Sequence, residues 1–113
     1  MSLIPRRQHP SWDAFLTEDV SKLLSSIETA IGEDYSPIQS KVLRFLETDF
    51  SNIKIVILGQ DPYPEKGRAT GRAFEVGDLN TWDQPFRQVS LKNIVRLIYK
   101  TINKIEEYEH IPK

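Results

Sequence analysis

One apolar segment near the middle of the chain constrains the fold more than any other feature. Residues 53–58 read Ile-Lys-Ile-Val-Ile-Leu and are followed directly by Gly59. A short, largely apolar run that is rich in β-branched residues and bounded by turn residues is typical of a strand buried on both faces, as in a parallel sheet. The sequence therefore predicts an α/β fold that contains this segment as a strand.

The segment after this strand is polar and contains both glycine and proline. It would leave the carboxyl end of the strand, where ligands and catalytic groups collect in open α/β sheets. Asp61 lies in this segment and is a candidate site residue on that ground alone. The alternative is that Asp61 and Pro62 only form a turn, because Asp-Pro is common in turns.

The helical elements are predicted from the spacing of apolar residues. Apolar residues recur at steps of three and four between Trp12 and Ile31, which is the pattern of an amphipathic helix. The pattern has a break near Thr17, where a new cap could begin, and Gly32 is the predicted stop. Residues 36–39, Ser-Pro-Ile-Gln, predict a capping box at the start of a further helix.

The last third of the chain is predicted to contain a short second strand at residues 72–76 and a long helix. Ser90 is a candidate cap for that helix, and apolar residues between positions 91 and 105 would form its inward face. Four basic residues recur on the helix at intervals of four: Lys92, Arg96, Lys100 and Lys104. A DNA-facing stripe is one interpretation, but a solvated helix face is favoured.

Two motifs resemble those of the uracil-DNA glycosylase family. Residues 59–63, Gly-Gln-Asp-Pro-Tyr, are similar to the family's active-site loop, and residues 90–94, Ser-Leu-Lys-Asn-Ile, are similar to its serine-led segment at the start of a helix. After the first motif, the similarity continues at the family's spacing through Gly67, Ala69, Gly71, Ala73, Phe74 and Val76. Weaker similarity reaches back to Ser11 and Trp12. The resemblance covers nearly the whole chain, but only the family's N-terminal part.

This resemblance implies part of a three-layer fold, with N-terminal helices, a first parallel strand, an active-site loop and the following helix. Residues 1–113 would form a single, incomplete domain. The apolar pattern indicates the same, because only one strongly apolar strand is visible and a parallel sheet needs several. A C-terminal part, another chain or self-association would then cover the strand.

The resemblance also implies roles for five residues in the release of uracil from DNA, which requires a flipped nucleotide and a cationic sugar transition state. Asp61 would be catalytic, by orienting the attacking water and stabilising the positive charge on the sugar. Gln60 and Asp61 would present backbone groups to the base, Tyr63 would exclude thymine at C5, Phe74 would stack, and Ser90 would contact a phosphate. Simpler readings are that Phe74 belongs to the core, Tyr63 to a turn and Ser90 to a helix cap.

Departures from the family pattern restrict this function. Pro64 stands where the family usually has histidine, and no counterpart is found for the asparagine that reads uracil, the histidine that stabilises the departing uracil anion, or the apolar finger that enters the duplex. Residues 9–11, His-Pro-Ser, resemble the context of the histidine that stabilises the uracil anion, but they lie far upstream of its place in the family. Ser11 is therefore interpreted as a helix cap.

Two classes of function therefore stay open for this chain. The first is a uracil-DNA glycosylase of base excision repair, which hydrolyses the N-glycosidic bond of uracil in DNA but is inactive as this chain alone. The second is a non-catalytic remnant or binding module that self-associates.

Composition limits the partners and cofactors. The net charge is −1, so contact with uracil-containing DNA would have to be local rather than driven by a general basic field. The absence of cysteine excludes disulfides, thiolate metal sites and iron–sulfur clusters, and no metal or other cofactor is expected. No stretch resembles a membrane span or a signal peptide, so a cytoplasmic location is expected.

Overall fold

The structure, a computed structural model, describes residues 2–104 and residue 110. The chain divides into two compact units, Met1–Ala73 and Phe74–Lys113. The described residues form three α-helices: α1 (Glu18–Ile31), α2 (Gln39–Val42) and α3 (Val89–Asn103). They also form three short 3₁₀ helices: Pro10–Trp12, Arg44–Glu47 and Phe50–Asn52. The prediction of one domain over residues 1–113 stays a prediction.

The predicted α/β fold is wrong for the described residues, because none of them forms a β-strand. Residues 53–58 are irregular, and the exposed fractions of Ile55, Val56 and Leu58 are 80%, 81% and 92%. The predicted strand at residues 72–76 is wrong too, since that segment consists of a bend, a turn and irregular backbone. A strand needs a neighbouring strand for its backbone hydrogen bonds, and the described part of the chain supplies none.

Helix α1 begins and ends where the sequence predicts. The Thr17 side chain accepts a hydrogen bond from the Val20 N–H at 3.3 Å, which caps the helix, and Glu18 and Asp19 in the first turn complement the helix dipole. Gly32 ends the helix with φ of 68°, a conformation that glycine adopts without steric cost. The predicted break near Thr17 and the predicted stop at Gly32 are therefore confirmed.

An aromatic cluster around Trp12 organises the N-terminal part of the first unit. The Trp12 ring meets Phe15, Phe45 and Phe50 edge to face, with centroid distances of 6.1, 5.4 and 5.0 Å. The Trp12 indole N–H donates to the Thr48 carbonyl at 2.8 Å, so the polar end of the ring is satisfied. Leu46 is 1% exposed and belongs to the small core of this unit.

The predicted capping box at residues 36–39 is wrong. Helix α2 begins at Gln39 after Ile38, which provides no side-chain cap, and the Ser36–Pro37 peptide bond is cis. Because Gln39 is the first helical residue rather than the third, its side chain does not turn back to the cap. Its amide instead donates to Glu28 Oε1 at 2.8 Å and ties α2 to α1.

Helix α3 is the main element of the second unit and confirms the predicted long helix. Its cap residue is Gln88, without a side-chain cap bond, so the interpretation of Ser90 as the cap is wrong. Val95 is buried, but Ile98 and Ile102 are exposed, so the predicted inward face holds only for the first half of the helix. Ile105 lies outside the described residues. Of the four basic residues, Arg96, Lys100 and Lys104 are exposed, as a solvated face requires, but Lys92 is half-buried and its Nζ lies 4.9 Å from the centroid of the Phe86 ring.

Candidate functional site

The segment at residues 59–63 lies in the first unit, directly after the irregular apolar run. Gln60 and Asp61 form an exposed bend, and Tyr63 is half-buried. Among the described residues, no hydrogen-bond or ion-pair partner contacts the Asp61 carboxylate. Both carboxylate oxygens can therefore accept hydrogen bonds from water or from a bound molecule.

Residues 60–72 form a loop whose two ends nearly meet. A Cβ atom added at Gly59 would lie 3.7 Å from the Ala73 Cβ. Gly67 and Gly71 have φ of 80° and 83°, values at which a side chain is strained. The glycines that carry the family resemblance in this loop are thus required by the backbone conformation.

The end of this loop is anchored to the segment around α2. The Arg44 guanidinium donates from Nη1 to the Thr70 carbonyl oxygen at 2.9 Å, and Ala69 and Thr70 are both buried. Gly71 approaches α2 so closely that an added Cβ atom would overlap the Lys41 carbonyl oxygen. The sequence did not reveal this anchor, because Arg44 carries no local signal of a bond to a carbonyl 26 residues later.

Phe74 and Ser90 lie in the second unit. Phe74 is half-buried, with a φ of 65° that non-glycine residues rarely adopt and that costs about 1–2 kcal/mol. Ser90 is exposed in the first turn of α3 and does not cap the helix. The structure thus places Gln60, Asp61 and Tyr63 together by chain continuity in one unit and the other two candidates in the other. The roles of all five stay predictions.

A second group of polar residues lies around His9, and the sequence predicted only part of its contacts. The His9 Nδ1 atom accepts from the Ser11 backbone N–H at 3.1 Å and lies 2.9 Å from the Ser11 hydroxyl, so His9 caps the first 3₁₀ helix. The prediction of Ser11 as that cap is therefore wrong. The Ser11 hydroxyl accepts from the Phe50 N–H at 2.9 Å, and His9 Nε2 lies 4.0 Å from Asp49 Oδ2.

These contacts give structural roles to Ser11, His9 and Asp49. Asp49 Oδ1 accepts from the Ser51 hydroxyl at 2.7 Å and from the Ser51 N–H at 3.0 Å, and these bonds hold the pKa of Asp49 below its usual value. The Asp-Phe-Ser spacing is a turn signal that could have predicted this bond. Each polar group holds backbone in place, which is consistent with the rejection of residues 9–11 as a catalytic motif.

The described residues include no group of three or more histidine, aspartate or glutamate side chains placed to hold a metal ion. In the same part of the chain, no helix has the length and apolar character needed to cross a membrane.

Sequence comparison connects the chain to known enzymes. Uracil-DNA glycosylases from Mycobacterium bovis and Mycobacterium tuberculosis are each 43% identical to it over 68 residues, which is 59% of this chain and 28% of each relative. A match that covers 59% of a chain of 113 residues must include the middle of the chain, and therefore residues 59–63, whichever residue it starts from. Over these residues the chain is therefore similar in sequence to uracil-DNA glycosylases. The resemblance inferred from the motifs is confirmed, and the partial coverage fits a match to the N-terminal part only.

The similarity extends to relatives of another genus but covers only a fraction of each protein. Uracil-DNA glycosylase 1 from Streptomyces coelicolor is 43% identical over 49 residues, which is 43% of this chain and 22% of that relative. The chain thus spans less than a third of the length of the glycosylases that it matches. No protein-family model matches the chain, and no solved structure matches it significantly.

Proposed function

We propose that this chain contributes the water-activating part of a uracil-DNA glycosylase, which hydrolyses the N-glycosidic bond of uracil in DNA during base excision repair. The observation that carries the proposal is the 43% identity over a stretch that includes residues 59–63. A cytoplasmic location is part of the proposal, and fractionation of cells that express the chain would test it.

Asp61 is the proposed catalytic residue. In the reaction, the bond between the sugar C1′ and the uracil N1 breaks, its electron pair leaves with the base, and water adds to C1′. The Asp61 carboxylate, which has no described protein partner, would accept a hydrogen bond from that water and stabilise the cationic sugar. A positioned general base is worth about 10²–10⁴-fold in rate.

The exposure of Asp61 argues that the isolated chain does not perform this reaction. Two unit charges about 4 Å apart interact by about 1 kcal/mol in water, but by about 4 kcal/mol at an effective dielectric constant of about 20. Asp61 is exposed in this structure, so its effect on a sugar cation would be near the lower value. Additional polypeptide that encloses the carboxylate is therefore part of the proposed active state.

The remaining candidates would hold the flipped nucleotide. Half-buried Tyr63 offers a wall against the C5 methyl group of thymine, and half-buried Phe74 offers a ring for stacking on the base. Exposed Ser90, in the first turn of α3, would donate its hydroxyl to a phosphate near the backbone N–H groups of that turn.

A chimera tests the proposal directly. This chain would replace the matching part of the Mycobacterium tuberculosis uracil-DNA glycosylase, and uracil release from a single-stranded oligonucleotide would be measured, with a thymine-containing strand as control. We expect release by the chimera and none by the 113-residue chain alone. Asp61→Asn should lower the rate of the chimera by about 10²–10⁴-fold because the amide cannot accept a proton from water.

The matched control is Asp34→Asn, which changes another exposed carboxylate of the first unit. It should leave the rate of the chimera unchanged. A folded chimera that releases no uracil, or one that is equally active with Asn at position 61, would contradict the proposal.

A second candidate function is a self-associating binding module without catalysis. The exposed apolar side chains of residues 55–58 favour it, since a surface of this kind marks interaction sites. A chimera that folds and binds uracil-containing DNA but never releases the base would select this function over the first.

A further inference from the structure

The loop before α3 carries a tryptophan on a turn that the loop itself holds in place. Trp82 lies in a four-residue turn that is closed by the Gln84 N–H, which donates to the Thr81 carbonyl at 3.3 Å. The Gln84 side-chain oxygen also accepts from the N–H groups of Asn80 and Thr81. All of these bonds lie within residues 80–84, so the turn is specified locally. A ring that is already ordered loses little conformational freedom when it binds a partner.

Trp82 belongs to a small aromatic and cationic cluster of the second unit, together with Phe86 and Lys92. The ring centroids of Trp82 and Phe86 lie 6.3 Å apart, and the Lys92 Nζ lies 4.9 Å from the Phe86 centroid. Phe86 and Lys92 are half-buried, whereas Trp82 is 37% exposed. Aromatic rings beside cations are the combination that binds single-stranded nucleic acids, because each base has a π-face and is joined to a phosphate.

Basic side chains continue from this cluster along α3. Arg96 and Lys100 follow Lys92 at intervals of four residues, so the three lie on one side of the helix, with successive residues about 6 Å apart along its axis. This step is similar to the spacing between consecutive phosphates of an extended strand. Arg96 and Lys100 are exposed, so a phosphate can reach them.

Charge separates this segment from the rest of the chain. Residues 84–104 contain five basic residues and no acidic residue, although the whole chain has 15 basic and 16 acidic residues. The segment therefore attracts a polyanion locally, which the net charge of −1 does not do for the chain as a whole. Exposed basic residues alone also fit a solvated face, and the aromatic ring beside them is what favours a single strand.

We propose that Trp82, Lys92, Arg96 and Lys100 form a binding surface for single-stranded DNA. Trp82 stacks on one unpaired base, and the three basic side chains contact phosphates of the same strand. The inference rests on the proposed function for the choice of DNA, but binding at this surface requires neither uracil nor base release. With so few contacts, the expected dissociation constant lies in the non-specific range of about 10⁻⁴–10⁻⁶ M.

Fluorescence anisotropy tests the surface with the 113-residue chain and a labelled strand of about 12 thymine nucleotides. Trp82→Leu keeps an apolar side chain but removes the ring, so it should weaken binding about 5- to 150-fold, and Trp82→Tyr should retain most of the affinity. The matched control is Phe15→Leu, which removes an exposed ring from the first unit and should leave binding unchanged.

The salt dependence of binding separates phosphate contacts from stacking. Arg96→Gln should weaken binding and lower the slope of log affinity against log salt by about 0.7, the value for one phosphate of a single strand. Trp82→Leu should leave this slope unchanged, because stacking releases no counterion. Lys54→Gln removes an exposed cation of the first unit and should change neither the affinity nor the slope.

The two tryptophans provide an internal comparison in the unaltered chain. In an NMR titration with the same strand, the indole N–H signal of Trp82 should shift. The signal of Trp12, whose N–H donates to the Thr48 carbonyl, should stay in place. This measurement decides whether Trp82 takes part even where a variant fails to fold.

Three results would overturn the surface. One is the absence of binding at low salt, or binding that shifts both indole signals equally or neither. Another is an equal loss of affinity in Trp82→Leu and Phe15→Leu. The third is an equal change of salt slope in Arg96→Gln and Lys54→Gln. Because the strand contains no uracil, each of these results leaves the outcome of the chimera experiment unaffected.

Discussion

Replacement of Gly71 by alanine tests how the candidate loop is held in the first unit. The new Cβ atom would overlap the Lys41 carbonyl oxygen and would lie 2.9 Å from the Lys41 carbonyl carbon. Both neighbours are backbone atoms of α2, so no flexible side chain can move aside to relieve the clash. The backbone of the loop or of α2 must shift instead.

The magnitude follows from two contributions. The φ of 83° at Gly71 costs an alanine about 1–2 kcal/mol. A shift large enough to relieve the contact would also break the hydrogen bond from Arg44 to the Thr70 carbonyl, and a bond to a charged group is worth about 1.5–3 kcal/mol. The expected loss of roughly 2.5–5 kcal/mol is a large part of the stability of about 5–15 kcal/mol that is usual for a domain.

The free energy of unfolding in urea, followed by circular dichroism, measures this loss. Gly67→Ala is the matched control, since Gly67 has a φ of 80° but no atom within 4 Å of its added Cβ. It should lose only the conformational contribution of about 1–2 kcal/mol. If Gly71→Ala and Gly67→Ala are equally stable, the close approach of the loop to Lys41 is not present in solution.

Two further outcomes are expected. Ser51→Ala removes the hydroxyl that lowers the pKa of Asp49, and a lowered pKa stabilises the folded state at pH values above the unfolded value of 3.8. The difference in stability between wild type and Ser51→Ala should therefore be present at neutral pH and should shrink as the pH falls below 3.8. A difference in stability that does not depend on pH would contradict this. In the chimera, Tyr63→Ala should open space for the C5 methyl group of thymine and so allow thymine release. The expected loss of discrimination between uracil and thymine is about 10–200-fold. An unchanged ratio of uracil release to thymine release would exclude Tyr63 from this role.

Part of the candidate site was predictable from the sequence because it is local. The motif at residues 59–63 identified the family, and the glycines at positions 67 and 71 are explained by their backbone conformations. Phe74 and Ser90 lie in the other compact unit. Their assigned roles depend on the family resemblance and not on a local signal.

The sequence by itself determined the helices whose ends depend on nearby residues. Thr17 caps a backbone N–H three residues later, and Gly32 ends α1 through its own φ, so neither needs the rest of the fold. The spacing of apolar residues likewise predicted a long helix around α3. Interactions of this kind span one or two helical turns, which is why a linear pattern specifies them.

Only the tertiary structure decided the features whose partners lie far along the chain. Residues 53–58 have the composition of a strand, but a strand exists only where a second segment supplies its hydrogen bonds, and the described residues contain none. The Gln39 side chain donates to Glu28 instead of forming the predicted capping box, and the Lys41 carbonyl leaves no room for a side chain at Gly71. In each case the deciding group comes from another element, so its effect is absent from any local pattern of residues.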